Sequence, residues 1–356
     1  MRETEIVEAE LIDDRPLPVP AAGHCPLLPA EFDDDLRAHL AALDAASDEH
    51  AADQRPDNTT RSYASDWKTW TAFCAQLGIP PTAATRGTLR AFVKYLWEQE
   101  KRAYSTIDRK LAGVVVTLRR PPYNVLVDPD ATRAARELLK DYRKKAAEAE
   151  EPERGRGKAP ALRIDTLRLI VSKCDTDIFG LRDRAMLLLG FSIAARRAEL
   201  AGLRLRNIRD DEHGLLVHVA VSKTDPRTVP VPYGRNPDTC PVRTWHAWRT
   251  AAGITDPDRH AFRRIHHTGA VQPQGLTPQR AGDIITAAGL RAGVDELFTG
   301  HSVRSGMATE ARRRGKDRKA IAAITGHKAG SKVLDGYMQI VDQWDEQDNA
   351  LIGIGL

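Results

Sequence analysis

Two histidines, an arginine and a tyrosine fall close together between positions 300 and 337. His301 and Arg304 stand three apart in Gly-His-Ser-Val-Arg-Ser-Gly, a spacing that places both on one face of a helix. Arg304 carries a permanent charge and a planar fork of donors that matches a phosphate. His301 has the side chain that moves a proton near neutral pH. His327 follows in Thr-Gly-His-Lys, and Tyr337 in Gly-Tyr-Met. A phenol is a poor nucleophile alone. It attacks phosphorus where cations hold the phosphoryl group and withdraw charge from it. Further cations stand upstream: Arg196 in Ala-Ala-Arg-Arg-Ala-Glu-Leu and Lys223 in Val-Ser-Lys-Thr-Asp-Pro. The fork geometry of Arg196 and Arg304 suits a charged phosphorus centre. Lys suits proton donation, because neighbouring arginines lower its pKa. Glu199, three residues after Arg196, shares its helical face in this reading and braces the cations by salt bridges.

Taken in chain order, Arg196, Lys223, His301, Arg304, His327 and Tyr337 resemble the tyrosine recombinase (phage integrase) family. That family's pattern is Arg, Lys, His-x-x-Arg, His or Trp, then Tyr. The ordered set is specific, whereas His-x-x-Arg alone is weak. The resemblance covers roughly 164–340 and, more loosely, 58–145. It implies a site-specific recombinase or integrase that cuts and rejoins DNA through a 3′-phosphotyrosine and a Holliday junction. It implies that Arg196 and Arg304 take the non-bridging oxygens and that Lys223 protonates the leaving 5′ oxygen. His301 would handle a proton at the tyrosine or the phosphate, His327 would hydrogen-bond a phosphate oxygen, and Tyr337 would be the nucleophile. Arg197 is the rival for Arg196, and the position of Glu199 favours Arg196. The partner implied is a double-stranded recombination site, bound by a homotetramer that is monomer or dimer when free. No cofactor, no metal and no membrane are expected. A type IB topoisomerase and a catalytically silent DNA-binding regulator are the alternatives. The chain departs from the family in two places. Ile193-Ala194 replaces a frequent Thr-Gly, and the stretch from His327 to Tyr337 is one residue longer than usual, with 329–331 the site of the insertion.

The elements that must position these groups read as mainly α with a small β-sheet (α+β). The resemblance implies a helical, SAM-like core-binding domain and a catalytic domain forming a C-shaped clamp. A chain of 356 residues suggests two domains. Residues 1–57 form an acidic leader, 58–147 the helical domain, 148–160 a Glu-, Arg- and Gly-rich linker, and 161–356 the catalytic domain with its tail. The leader reads as largely disordered, with a helix over 31–46. In the helical domain Trp67, Trp70, Phe73 and Leu77 keep helical spacing and read as core. DNA contact then falls to polar faces, with Arg61, Lys68, Arg102, Ser105, Thr106, Arg109 and Lys110 as candidates. In the catalytic domain 182–192 reads as a central apolar helix, and 215–221 with 228–231 as a hairpin around Lys223. Helices are expected over 241–252, 277–292, 301–314, 317–325 and 332–338, and Trp344, Leu351 and Ile352 give the tail an apolar face for a neighbouring subunit.

Charge is distributed unevenly. Residues 1–57 hold 15 Asp/Glu against 4 Lys/Arg, a net of −11, so the remainder carries +15 of the overall +4. A basic body favours a polyanion through counterion release. No apolar run reaches membrane-spanning length, and the start lacks the basic-then-apolar pattern of a secretory signal, so a cytoplasmic, nucleoid-associated protein is expected. Cys25, Cys74, Cys174 and Cys240 lack paired metal spacing and read as free thiols.

Overall fold

The structure is a computed structural model that describes residues 33–53, 57–155, 157–220, 226–328 and 330–342. The expectations for 1–32, for Lys223 and for Trp344, Leu351 and Ile352 fall outside the described residues. The chain divides into two compact units after Gly157, within the stretch that composition marks as a linker. No helix among the described residues is long and apolar enough to cross a membrane.

The first unit is helical: α1 (Asp34–Asp53), α2 (Asp57–Gln76), α3 (Arg86–Lys94, continued by a π turn over Tyr95–Gln99), α4 (Tyr104–Leu118) and α5 (Pro129–Glu148). Thr85 caps α3 reciprocally with Thr88, whose hydroxyl accepts from the Thr85 amide at 2.8 Å. Ala103 occupies the cap of α4 and has no polar side chain to offer. The aromatic stripe of α2 is core. Trp70 is fully buried, packs edge-on against Phe92 at 5.1 Å between centroids, and donates its indole N–H to the Pro81 carbonyl at 2.8 Å. An ion pair lies in this interior: Asp66 of α2 faces α4, where the buried Lys110 holds its Nζ 3.4 Å from the carboxylate, and Arg109 also pairs with it. Gly113 makes room for it, since a Cβ there would stand 2.7 Å from Asp66 Oδ2.

The second unit centres on α7 (Ile178–Ser192), preceded by α6 (Ile164–Ser172) and followed by the short α8 (Arg197–Gly202). Asp177 caps α7, so the helix starts a turn earlier than its apolar run suggests. An antiparallel sheet follows in the order β1 (Ile208–Asp211), β2 (Gly214–Val219), β3 (Arg227–Pro232). The expected hairpin is β2–β3, with Val219 opposite Arg227. The additional strand β1 is polar at three of four positions and shows no alternation. Then come α9 (Pro241–Ala251), the hairpin β4 (Arg263–Ile265) and β5 (Val271–Gly275), α10 (Pro278–Arg291), α11 (Gly300–Arg313), α12 (Arg318–Thr325) and α13 (Lys332–Asp342). Leu187, Leu189, Trp245, Trp248, Ile285, Phe298 and Val303 belong to one buried cluster that seats these elements. Gly306 lets α11 press against the backbone at Leu162, where a Cβ would lie 2.1 Å from the carbonyl oxygen.

Candidate active site

Arg196 and Glu199 are positioned by the start of α8. Arg196 is the N-cap residue, with extended backbone at φ −82°, ψ 157°, so the pair does not share a helical face as the spacing alone suggests. Glu199 reaches back instead. Its Oε2 accepts from the Arg196 amide at 3.0 Å and its Oε1 from Arg196 Nη1 at 2.5 Å. An acid at the third helical position closes a capping box and orients the Arg196 guanidinium in one arrangement. Arg197 turns the other way. Its stem fills the space left by Gly300, where a Cβ would meet Arg197 Cγ at 2.2 Å, and its Nη1 donates to Gln279 at 3.1 Å. The geometry therefore separates the two neighbouring arginines, leaving Arg196 in the cluster.

α11 presents His301 and Arg304 one turn apart. Thr299 caps this helix by accepting from the His301 amide at 3.2 Å. Arg304 is 1% exposed; its Nη1 donates to the Ala194 carbonyl at 2.9 Å and its Nη2 to the Thr325 carbonyl. Ala194 holds φ +49°, an unusual conformation for a side chain-bearing residue, and the strained turn directs its carbonyl at Arg304. His327 follows Gly326, which ends α12 in the left-handed region as a helix C-terminal glycine does. Arg304 Nη2 lies 3.3 Å from His327 Nε2. Guanidinium only donates, so Nε2 is the bare nitrogen and Nδ1 carries the proton toward Thr325 Oγ1 at 2.8 Å.

Tyr337 on α13 completes the cluster. Its hydroxyl lies 2.6 Å from His301 Nε2. Leu334 and Met338, on either side of it in sequence, pack with Ala308 of α11 and Ile321 of α12. One small apolar cluster thus sets the phenol against the imidazole.

The electrostatics favour neutral imidazoles and charged guanidiniums. Burial, then Arg304 and Arg196, depress the His301 pKa. The same causes, burial first, bring His327 down to about 4. Burial raises the Tyr337 pKa, while Arg304 and Arg196 pull it the other way. For Glu199, burial opposes ionisation but is outweighed by hydrogen bonds from Arg227 and Arg196, which bring it to about 2. A neutral His301 has a ring nitrogen free to accept a hydrogen bond from the Tyr337 hydroxyl.

Sequence reasoning overlooked Arg227, which the structure places in this cluster. Its Nη2 donates to Glu199 Oε2 at 2.9 Å, and the side chain is buried. A signal was present: on β3, Arg227, Val229 and Val231 all point inward, so a charge stands in phase with the apolar side of a strand. The candidates of the helical unit divide. Arg61, Lys68, Arg102, Ser105 and Arg109 are exposed and Thr106 is half-buried, with Arg102 held by Glu100 at 2.7 Å and Arg109 paired to Asp66. Lys110 corrects the expectation: it is 6% exposed, and its ammonium is engaged by Asp66 and by Thr69 at 2.9 Å, so its place is the interior of the unit.

Residues 160–343 match the phage integrase family. An integrase/recombinase xerD homolog of Selenomonas ruminantium is 27% identical over 303 residues, covering 83% of this chain and 85% of the relative. Tyrosine recombinase XerD of Listeria monocytogenes is 26% identical over 181 residues, covering 50% of this chain and 57% of the relative. In fold, the chain is similar to a Tn1549 transposon integrase solved with transposon right end DNA, with a TM-score of 0.58 and 12% identity over 84% of this chain and 96% of that one. It is also similar to a lambda integrase dimer bound to a COC' core site, with a TM-score of 0.54 and 16% identity over 87% of this chain and 82% of that one.

Proposed function

The chain belongs to the phage integrase family, and from that premise we propose that it is a site-specific DNA recombinase with Tyr337 as its nucleophile. The observation that carries this reading is the Tyr337 hydroxyl 2.6 Å from His301 Nε2, beside the buried Arg304 and its half-buried partner His327. In the proposed reaction His301 takes the phenolic proton, and the Tyr337 oxygen bonds to phosphorus. Arg196 and Arg304 neutralise the non-bridging oxygens as the five-coordinate centre forms. The bond to the 5′ oxygen breaks, and Lys223 supplies the proton that makes it a hydroxyl. His327, neutral and with Nδ1 protonated, holds Arg304 in place. The 3′-phosphotyrosine conserves the energy of the broken bond, so a 5′ hydroxyl reverses the step without ATP. This scheme calls on no metal and no cofactor.

The partner in this reading is a double-stranded recombination site. It is supported by the basic body of the chain and by the DNA complexes of the two fold relatives. Arg61, Lys68, Arg102, Ser105, Thr106 and Arg109 of the helical unit are the proposed contacts, made by their polar faces. Two exchanges through a Holliday junction within a homotetramer in the nucleoid complete the proposal.

A suicide duplex carrying a nicked recombination site tests it. The wild-type protein should form a covalent adduct with DNA, and Tyr337→Phe should form none. An adduct that persists in Tyr337→Phe means another nucleophile. Lys223→Ala should cleave slowly and recover on a duplex with a 5′-bridging sulfur, a leaving group that needs no proton; lack of recovery removes Lys223 as the acid.

A further inference from the structure

Two turns of the second unit are joined twice. Ile193 and Ala194 lie where α7 ends, and Ile324 and Thr325 lie where α12 ends. Arg304 bridges Ala194 to Thr325 through their carbonyls. Arg227 bridges the preceding residue of each pair, donating from Nη2 to Ile193 at 3.1 Å and from Nε to Ile324 at 2.7 Å. The two guanidiniums are parallel stitches one residue apart.

Arg227 does one thing more. Its Nη2 and Nη1 lie 2.9 Å and 3.4 Å from the two oxygens of Glu199, so each of its three nitrogens is engaged. Glu199 is 2% exposed and also holds Arg196 at 2.5 Å. A buried carboxylate shared between two arginines divides its attraction between them. Without Arg227, Glu199 loses the two donors that brace its carboxylate from the side of β3, and its hold on Arg196 is no longer fixed in direction. The turns that supply carbonyls to Arg304 also lose one of their two stitches.

We propose that Arg227 is a positioning residue for strand cleavage: through Glu199 it sets the Arg196 guanidinium, and through two carbonyls it fixes the turns that seat Arg304. The proposal rests on the phosphotyrosine reading given above. Arg227 acts through its neighbours and reaches the scissile phosphate only by way of Arg196 and Arg304.

The test is single-turnover cleavage at saturating DNA by the full chain, as wild type, Arg196→Ala, Arg227→Met and the double variant. Two suicide duplexes are used, one with an ordinary scissile phosphate and one with a methylphosphonate, which carries one charge fewer and makes a smaller demand on the cations. Arg227→Met should lose about 100-fold on the phosphate, the scale of one misplaced transition-state donor, and less than about 5-fold on the methylphosphonate. The double variant should lose clearly less than the product of the two single losses, because the share of Arg227 that acts through Arg196 is already gone in Arg196→Ala. Equal losses on both duplexes, or losses that multiply in the double variant, overturn the proposal. If Arg227→Met melts at the assay temperature, Arg227→Lys replaces it. It keeps the charge without the fork and should lose about tenfold on the phosphate duplex alone; a loss shared by both duplexes refutes the proposal. A wild-type protein that forms no adduct, or an adduct that survives Tyr337→Phe, refutes the phosphotyrosine reading and this proposal with it. An intact wild-type adduct with an unimpaired Arg227→Met refutes this proposal alone.

Discussion

Each unit buries a carboxylate among cations, Asp66 in the first and Glu199 in the second, and the two arrangements end differently. In the first unit Asp66 lies between α2 and α4 with Lys110 beside it in the interior and Arg109 at the surface, where its side chain is 44% exposed. In the second unit Glu199 meets Arg196 and Arg227, and Arg304 is buried alongside with backbone carbonyls as its acceptors. The first network joins two helices. The second holds more guanidiniums than its one acid neutralises, and the excess is stabilised by carbonyl oxygens that carry only partial charge. An uncompensated interior charge costs several kcal/mol, so a fold retains it where an anion is to be received. Under the proposed function, the comparison separates a charge buried for cohesion from a charge buried to receive an anion.

Neutralising each carboxylate in turn is the strongest test. Glu199→Gln should slow cleavage at saturating DNA by about 10²–10³-fold, because Arg196 loses the group that orients it. Asp66→Asn should leave that rate within about threefold, while destabilising the first unit by about 3 kcal/mol through the lone buried ammonium of Lys110. Single-turnover cleavage and denaturant unfolding read the two effects. A rate collapse in Asp66→Asn, or an unaltered rate in Glu199→Gln, would erase the distinction between the networks.

Acid should expose the same contrast more gently. The His327 pKa lies at about 4 in the folded state, below its ordinary 6.5, and that of His301 is also depressed. Protonation of either imidazole is therefore disfavoured in the folded protein, and stability falls as pH drops from about 6.5 toward about 4. Glu199 behaves as a salt-bridged acid: its stabilisation is present above about 4.5 and is lost as pH falls toward about 2. Cleavage should decline as well, at a pH displaced below 6.5 by the depressed His301 pKa, because protonated His301 no longer accepts from Tyr337. Thermal melts and cleavage rates across pH 4–8 measure both trends. A cleavage rate that rises on acidification would contradict His301 as the acceptor.

Most of this site was legible before any fold was known, for a physical reason. Phosphoryl transfer without a metal needs particular functional groups, and His301, Arg304, His327 and Tyr337 crowd into a short helical stretch whose spacing survives folding. The helices were legible because periodic apolar faces are local, whereas the Asp177 cap, which starts α7 a turn before its apolar run, went unread. What escaped was non-local. Arg227 sits about a hundred residues from the carbonyl it braces at Ile324, and spacing along a chain says nothing of such a contact. Lys110 was misjudged for the same reason, since only the approach of α2 to α4 buries it. β1 pairs by register with β2 and carries no alternation of its own.

Backbone strain allows the finest version of the comparison. Lys101 in the first unit holds φ +51° and Ala194 in the second holds φ +49°, both in a region that costs a side chain-bearing residue roughly 1 kcal/mol or more. Lys101 is exposed, so Lys101→Gly removes the strain and no packing. Offset by the extra freedom of glycine in the unfolded chain, it should gain up to about 0.5 kcal/mol. Ala194 is fully buried, and Ala194→Gly also removes a packed methyl, worth about 0.8 kcal/mol, so its net change should be close to zero or slightly unfavourable. Denaturant midpoints of the two variants supply the measurement. The strain at Ala194 aims a carbonyl at Arg304, an aim that the backbone of glycine reproduces, so the cleavage rate should stay within about twofold of wild type. Ala194→Val is the control that resolves the cause: a branched side chain resists positive φ, the turn must move, and the carbonyl leaves Arg304 with it. A rate in Ala194→Val equal to that in Ala194→Gly would mean that the turn does not position the guanidinium, and the parallel between the two strained residues would be one of conformation only.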